Sequence, residues 1–248
     1  MIRNRLIIEI FLLIFIACGC KQGANKIIFE GILTNCNEKK IYLTKITPEE
    51  KILIDSCKLK NGHFQLKMNV RDKTEKKKLE QPAFYEISLH PDNAFTIIAR
   101  GGEKIKIKAN ATQLVKDYQV TGGEDAQLMA QLDHQLKLFI DSVECLQQLY
   151  NQYRYNDSVK MFIEECYINH VNNHTQYLKE FIQQHPYSLA TVTAFYQRFN
   201  RRIFLPESEN LSLLNEIFNN LNDLYPDNEN VITIGNRIII LKERENHN

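Results

Sequence analysis

Apolar and polar residues alternate from Lys26 to about Thr121. From Gly122 onward the apolar positions recur instead at every third or fourth residue. Lys104-Ile-Lys-Ile-Lys108 shows the first mode most plainly, with Ile105 and Ile107 on one face and lysines on the other. Phe64, Leu66 and Met68 alternate with Gln65 and Lys67, and Tyr85, Ile87 and Leu89 with Glu86 and Ser88. A strict period of two means a sheet with one buried and one wet face. Turn formers separate the runs at Asn61-Gly62, Pro91-Asp92-Asn93 and Gly101-Gly102. The pattern predicts strands over 26–34, 40–46, 51–58, 63–69, 83–90, 94–100, 104–109 and 117–121, the spacing of an antiparallel β-sandwich or barrel-like domain. The segment Arg71 to Lys78 reads as a charged connection, with Lys76-Lys77-Lys78 at a solvated loop tip.

Beyond Gly122, Leu128, Leu132, Leu136, Phe139, Val143, Leu146 and Tyr150 form one helical stripe, and Thr121 and Glu124 ahead of it have capping-box spacing. A second helix is expected over about 156–184, ending before Pro186, and a third from about 188 to 202. A fourth carries Leu211, Leu214, Phe218, Leu221 and Tyr225, and a last one Val231, Ile234, Ile238 and Leu241. Each stripe needs a partner, so these helices should pack as a bundle. The expected fold class is therefore α+β, with an antiparallel β domain over 26–122 and a helical domain over 123–244.

The first twenty residues follow neither pattern. A short basic start with Arg3 and Arg5 leads into an apolar run from Leu6 to Ala17, interrupted by Glu9, and then Cys18-Gly19-Cys20. These are the parts of a secretory signal, too short to span a bilayer comfortably. A small residue directly before a cysteine resembles the lipobox at which lipoprotein signal peptides are cut. Cys20 is the expected acylation site. Cys18 is the alternative, though Glu9 then sits close behind the cleavage point. Residues 1–20 are thus read as a lipoprotein signal peptide, and the mature chain as lipid-anchored in the cell envelope, on the inner or outer membrane.

Composition alters this picture little. The chain is 44% hydrophobic and 25% charged, which suits a packed globular core. Its formal charge is +1, and removing Arg3, Arg5 and Glu9 with the signal leaves 29 basic and 29 acidic residues. A neutral balance supplies no counterion-release drive toward nucleic acid. Export permits disulfides, but none of Cys36, Cys57, Cys145 and Cys166 lies in a Cys-x-x-Cys motif, and all four read as small buried hydrophobes.

Two clusters could carry chemistry. His170 and His174 stand four apart on one helix face, a spacing that can hold zinc, but no Glu follows His170 as the His-Glu-x-x-His pattern requires. Both lie near the stripe of Ile163, Tyr167, Val171 and Leu178, so packing or surface roles are the expectation. Cys166 stands four before His170, a spacing able to activate a thiolate, yet no orienting group or oxyanion site is legible. Gly101-Gly102 and Gly122-Gly123 lack a phosphate-loop frame and read as turns. No catalytic residue, metal or cofactor is expected.

Several short pieces, in order, carry a resemblance: Phe29-Glu-Gly31, Lys40-Ile-Tyr-Leu43, Ile54-Asp-Ser56, Asn61-Gly62-His-Phe64, Phe84-Tyr85, Gly102-Glu-Lys-Ile105 and Tyr118-Gln-Val-Thr-Gly122. Phe181-Ile-Gln-Gln-His-Pro186-Tyr-Ser188 and Tyr225-Pro226 continue it. Over roughly 26–240 the chain resembles the N-terminal part of Bacteroidetes lipoproteins in which a domain of unknown function precedes a thioredoxin-like domain of the TlpA/ResA type. The resemblance implies thiol-disulfide oxidoreductase relatives. Their activity rests on a Cys-x-x-Cys absent from these 248 residues, so no catalytic residue carries over. The expected function is that of a non-catalytic exported lipoprotein, a binding or positioning module with an envelope protein or peptide as partner. The alternative is a truncated or split oxidoreductase whose thioredoxin domain is encoded separately. A third reading, an enzyme using Cys166 and His170, would need a cleft around Cys166 and a carboxylate beside His170. Ligand and oligomeric state stay open at this stage.

Overall fold

The computed structural model describes residues 25–69, 73–116 and 118–246. The predicted acylation site, Cys20 or Cys18, lies outside them.

Eight strands form two four-stranded sheets: β1 (Lys26–Thr34), β2 (Lys40–Ile46), β3 (Lys51–Lys58), β4 (His63–Asn69), β5 (Ala83–His90), β6 (Asn93–Ala99), β7 (Lys104–Asn110) and β8 (Tyr118–Thr121). One sheet has the order β4-β1-β7-β8, the other β3-β2-β5-β6. The apolar sets Ile27, Phe29, Leu66, Ile105 and Ile107 from the first and Ile41, Leu43, Tyr85, Ile87 and Ile97 from the second close on one another as a buried core. The two faces so joined make a sandwich. Pairing is antiparallel except between β1 and β7, which run parallel with Phe29 opposite Ile105. Alternation cannot reveal that pair, because a strand's two faces look the same whichever way its neighbour runs. The Asn61-Gly62 turn has both residues at positive φ, 52° and 77°, as a tight hairpin turn with right-handed twist requires. A Cβ on Gly62 would lie 2.1 Å from the carbonyl oxygen of Leu33, so only glycine fits against β1 there.

The charged connection is in fact a helix, α1 (Lys73–Glu80). Leu79 is buried, and its carbonyl accepts from the Gly101 N–H at 2.6 Å. A single apolar anchor leaves no period to read. Lys76-Lys77-Lys78 therefore sits on an exposed helix face, where Lys77 pairs with Asp227 at 3.0 Å.

The helices are α2 (Glu124–Gln152), α3 (Asp157–Gln184), α4 (Ala190–Tyr196), α5 (Leu211–Leu224) and α6 (Glu229–Asn246). The expected third helix ends at Tyr196, short of residue 202. A two-residue hairpin, β9 (Arg198–Phe199) and β10 (Arg202–Ile203), follows around Asn200, which adopts φ 52°. Asparagine tolerates that left-handed turn better than other residues with a side chain. The expected capping box is also absent. Gly123 occupies the N-cap of α2 with no side-chain cap, while its carbonyl accepts from Gln127 N–H. Asn156 does cap α3, accepting from Val159 N–H at 3.2 Å.

The helices bury a second core built on Leu132, Phe139, Leu178, Phe181, Phe195, Leu214 and Ile234. Ile98 from β6 is fully buried in this core, and Phe84 from β5 packs against it. The outer face of the second sheet is thus one wall of the helical core.

Candidate functional site

The sequence-level candidates separate in space. His174 is buried, and its Nε2 meets Gln197 Oε1 at 2.7 Å inside a ring of Phe139, Phe204 and Tyr177. Burial pushes its pKa below the usual histidine value, opposed by the bond to Gln197. It packs as a neutral imidazole. His170, one turn away, is only half-buried. Cys166 is half-buried and forms no hydrogen bond to His170 among the described residues. Cys36, Cys57, Cys145 and Cys166 are all free thiols. Burial raises the Cys57 thiol, which suppresses the thiolate that exchange chemistry needs.

Several pieces of the resemblance come together where the two cores meet. The turn after β6 brings Arg100 and Glu103, the first turn of α2 brings Glu124 and Asp125, the α3–α4 link brings His185 to Ser188, and Tyr225 follows α5. Ser188 donates a very short bond to Asp125, and its oxygen accepts from Ala190 N–H at 3.1 Å. Glu103 accepts from the Arg100 N–H at 2.9 Å and faces its guanidinium at 3.5 Å. Burial raises the pKa of both Glu103 and Asp125 against these bonds. Ser188 Oγ is held between Asp125 and the Ala190 amide, while the Ser188 N–H donates to the His185 carbonyl at 3.0 Å. The arrangement is a polar joint that fixes the α2 N-terminus against the sandwich and the α3–α4 link. The pieces are spread over more than a hundred residues, so no local spacing could have disclosed it.

The joint also fixes where the chain enters. Lys26 carbonyl accepts from Gly102 N–H at 2.9 Å, and Ile28 N–H donates to Glu103 carbonyl at 3.0 Å. The first described strand therefore begins beside the N-terminus of α2. Helix α2 has 29 residues, about 43 Å at 1.5 Å per residue. Its far end, with the start of α3, forms an exposed helical hairpin.

Several large apolar side chains at that far end are exposed. Tyr155 is 85% exposed, Met161 71% and Phe162 64%, and Tyr150 and Tyr153 add further exposed ring surface. The inward stripe of α2 runs through Phe139 and Val143 to Tyr150, but only its early part is covered. Beyond Val143 the remaining helices and the β9–β10 hairpin no longer shield it, and Tyr150 is left with 38% of its surface in water. Arg154 lies over the Tyr155 ring at 4.6 Å and Lys160 over Tyr150 at 6.0 Å. These five exposed side chains fall within thirteen residues of sequence around the α2–α3 turn. Among the described residues no helix is long and apolar enough to cross a membrane.

Residues 28–129 match the family model of a domain of unknown function, DUF4369. The match covers the sandwich and continues into the first two turns of α2, as far as Met129, which lies in the helical core. Neither the curated proteins nor the solved structures give a match.

Proposed function

We propose that this protein is a lipid-anchored envelope protein that acts by binding a protein partner, without chemistry of its own, through the far end of the α2–α3 hairpin. The observation that supports this reading is the exposure of Tyr150, Tyr153, Tyr155, Met161 and Phe162 around the turn between α2 and α3. Aromatic residues and methionine are the side chains enriched at the centres of protein interfaces. The geometry suits an anchor at Cys20. Five residues separate Cys20 from Lys26, a reach of about 20 Å at most. The entry point lies beside the α2 N-terminus, so the hairpin's far end stands the length of α2 from the tethered end.

The test is photo-crosslinking in living cells from a reactive amino acid at Phe162, with Lys108 on the outer face of the sandwich as the control position. The reading expects a discrete adduct from Phe162 only. Equal patterns from both positions would overturn it.

A second reading is a split thiol-disulfide oxidoreductase whose thioredoxin-like part is a separate chain. It is favoured by α6, which exposes Ile232, Ile239 and Ile240 on the side away from Val231, Ile234 and Ile238. In that case the crosslinked adduct should come from α6 and contain a Cys-x-x-Cys protein.

A further inference from the structure

Where α2 passes the open edge of the second sheet, a cavity of about 400 Å³ lies between them. Its walls include Ile46, Phe84, Phe95, Val115 and Met129, and Asp133 is the ionisable group that faces it. Asp133 stands on α2 beside the inward stripe, one position after the fully buried Leu132. The Tyr118 hydroxyl from β8 donates to its Oδ2 at 2.7 Å, and the Tyr118 ring stacks on Phe95 at 4.2 Å between centroids. Tyr118 thus holds one oxygen of the carboxyl in place. The other, Oδ1, accepts no hydrogen bond among the described residues. Asp133 is half-buried, and Tyr177 Oη, not Oδ1, is the buried side-chain atom without a partner among the described residues, so Oδ1 stays accessible from solvent. Burial raises the Asp133 pKa to about 6.

A ligand complementary to one accessible carboxylate among apolar walls brings donors and a positive charge at one point and an apolar body elsewhere. An anion would meet Asp133 with like charge, and a purely apolar molecule would bury the carboxylate further. The cavity is at the small end of the range for small-molecule sites, which points to a metabolite-sized ligand rather than a folded surface. We infer that this cavity binds a small primary amine with an apolar body, its ammonium on Asp133 and its body along Phe84, Phe95 and Met129. The site is separate from the hairpin surface and stands or falls independently of it. Charge-assisted bonds from ammonium to carboxylate are the stronger class of hydrogen bond, so the charged contact should dominate selectivity.

The probes are 2-phenylethylamine and its uncharged counterpart 2-phenylethanol, followed by methyl NMR on Met129 and Val115. The amine should shift both methyl sets at millimolar concentration, and the alcohol should bind at least about tenfold more weakly. Asp133→Asn keeps an acceptor for Tyr118 and so keeps the fold, but should lose about tenfold for the amine and little for the alcohol. Equal binding of amine and alcohol, equal amine binding by Asp133→Asn, or shifts confined to other methyls would each overturn the inference.

Discussion

Replacing Asp133 by asparagine should stabilise the protein at neutral pH and leave it unchanged in acid. The folded chain raises this carboxyl from an ordinary 3.8 to about 6, chiefly by burial, with the Tyr118 bond opposing the rise. The folded state therefore holds its proton more tightly than the unfolded chain does. Between those two values stability falls as pH rises, and above about 6 the full cost is present. At 1.36 kcal/mol per unit the shift corresponds to a ceiling of about 3 kcal/mol, and relaxation around the site brings the expected effect to about 1–3 kcal/mol. Asparagine retains the shape and the acceptor for Tyr118 but carries no charge. Urea unfolding of both proteins from pH 4 to pH 8 measures the difference directly. The gap should be near zero at the acid end, open between about 4 and 6, and then stay level. Glu103 and Asp125, also raised by burial, and His174, lowered by it, titrate in both proteins and cancel in the comparison. A variant less stable than wild type at pH 8, or a gap independent of pH, would refute the reasoning.

Three further outcomes are expected. Ile98→Ala empties a site on β6 that belongs to the helical core, so it should cost about 2–4 kcal/mol, with strand and helix signals lost in one transition in calorimetry and circular dichroism. Two separated transitions would mean that the two cores unfold independently. Mass spectrometry of the mature N-terminus should find acyl chains on Cys20; lipid on Cys18 would move the site, and an unmodified chain starting at Met1 would dismiss the anchor. The chain should not accelerate insulin reduction by dithiothreitol, since exchange needs an accessible thiolate and burial raises the Cys57 thiol. Turnover abolished by mutating Cys36 or Cys57 would refute the non-catalytic reading.

The strands were legible where burial in the sandwich imposes a period of two, as on β4 and β7. The predicted 94–100 and 104–109 differ by one residue from the observed Asn93–Ala99 and Lys104–Asn110. The long helices were legible for the same kind of reason, since Leu128 to Tyr150 all face one way. Helix α1 escaped because Leu79 is the one apolar residue in its sequence, and the β9–β10 hairpin because Phe199 and Ile203 continue an apolar rhythm that Asn200 breaks by conformation, not polarity. The polar joint and the Asp133 cavity could not be read at all. Asp133 is an ordinary acidic residue one step off a helical stripe, and its burial comes from Tyr118 and Phe95, which only the sandwich places beside it. The exposed hairpin end is an intermediate case. Its apolar residues are plain in the sequence, but their lack of cover depends on where the neighbouring helices stop.

A partner held by the far end of the α2–α3 hairpin should lose its affinity when the rings there are removed, which a binding titration measures. The partner recovered from the Phe162 adduct would be titrated against the full chain and against the double variant Tyr153→Ser/Phe162→Ser. Both side chains are largely exposed, so the variant should melt within a few degrees of wild type. If these rings anchor the interface, affinity should fall at least about thirtyfold, the loss expected when an aromatic hot spot is removed. Unchanged affinity from a variant of unchanged stability would mean that the partner binds elsewhere.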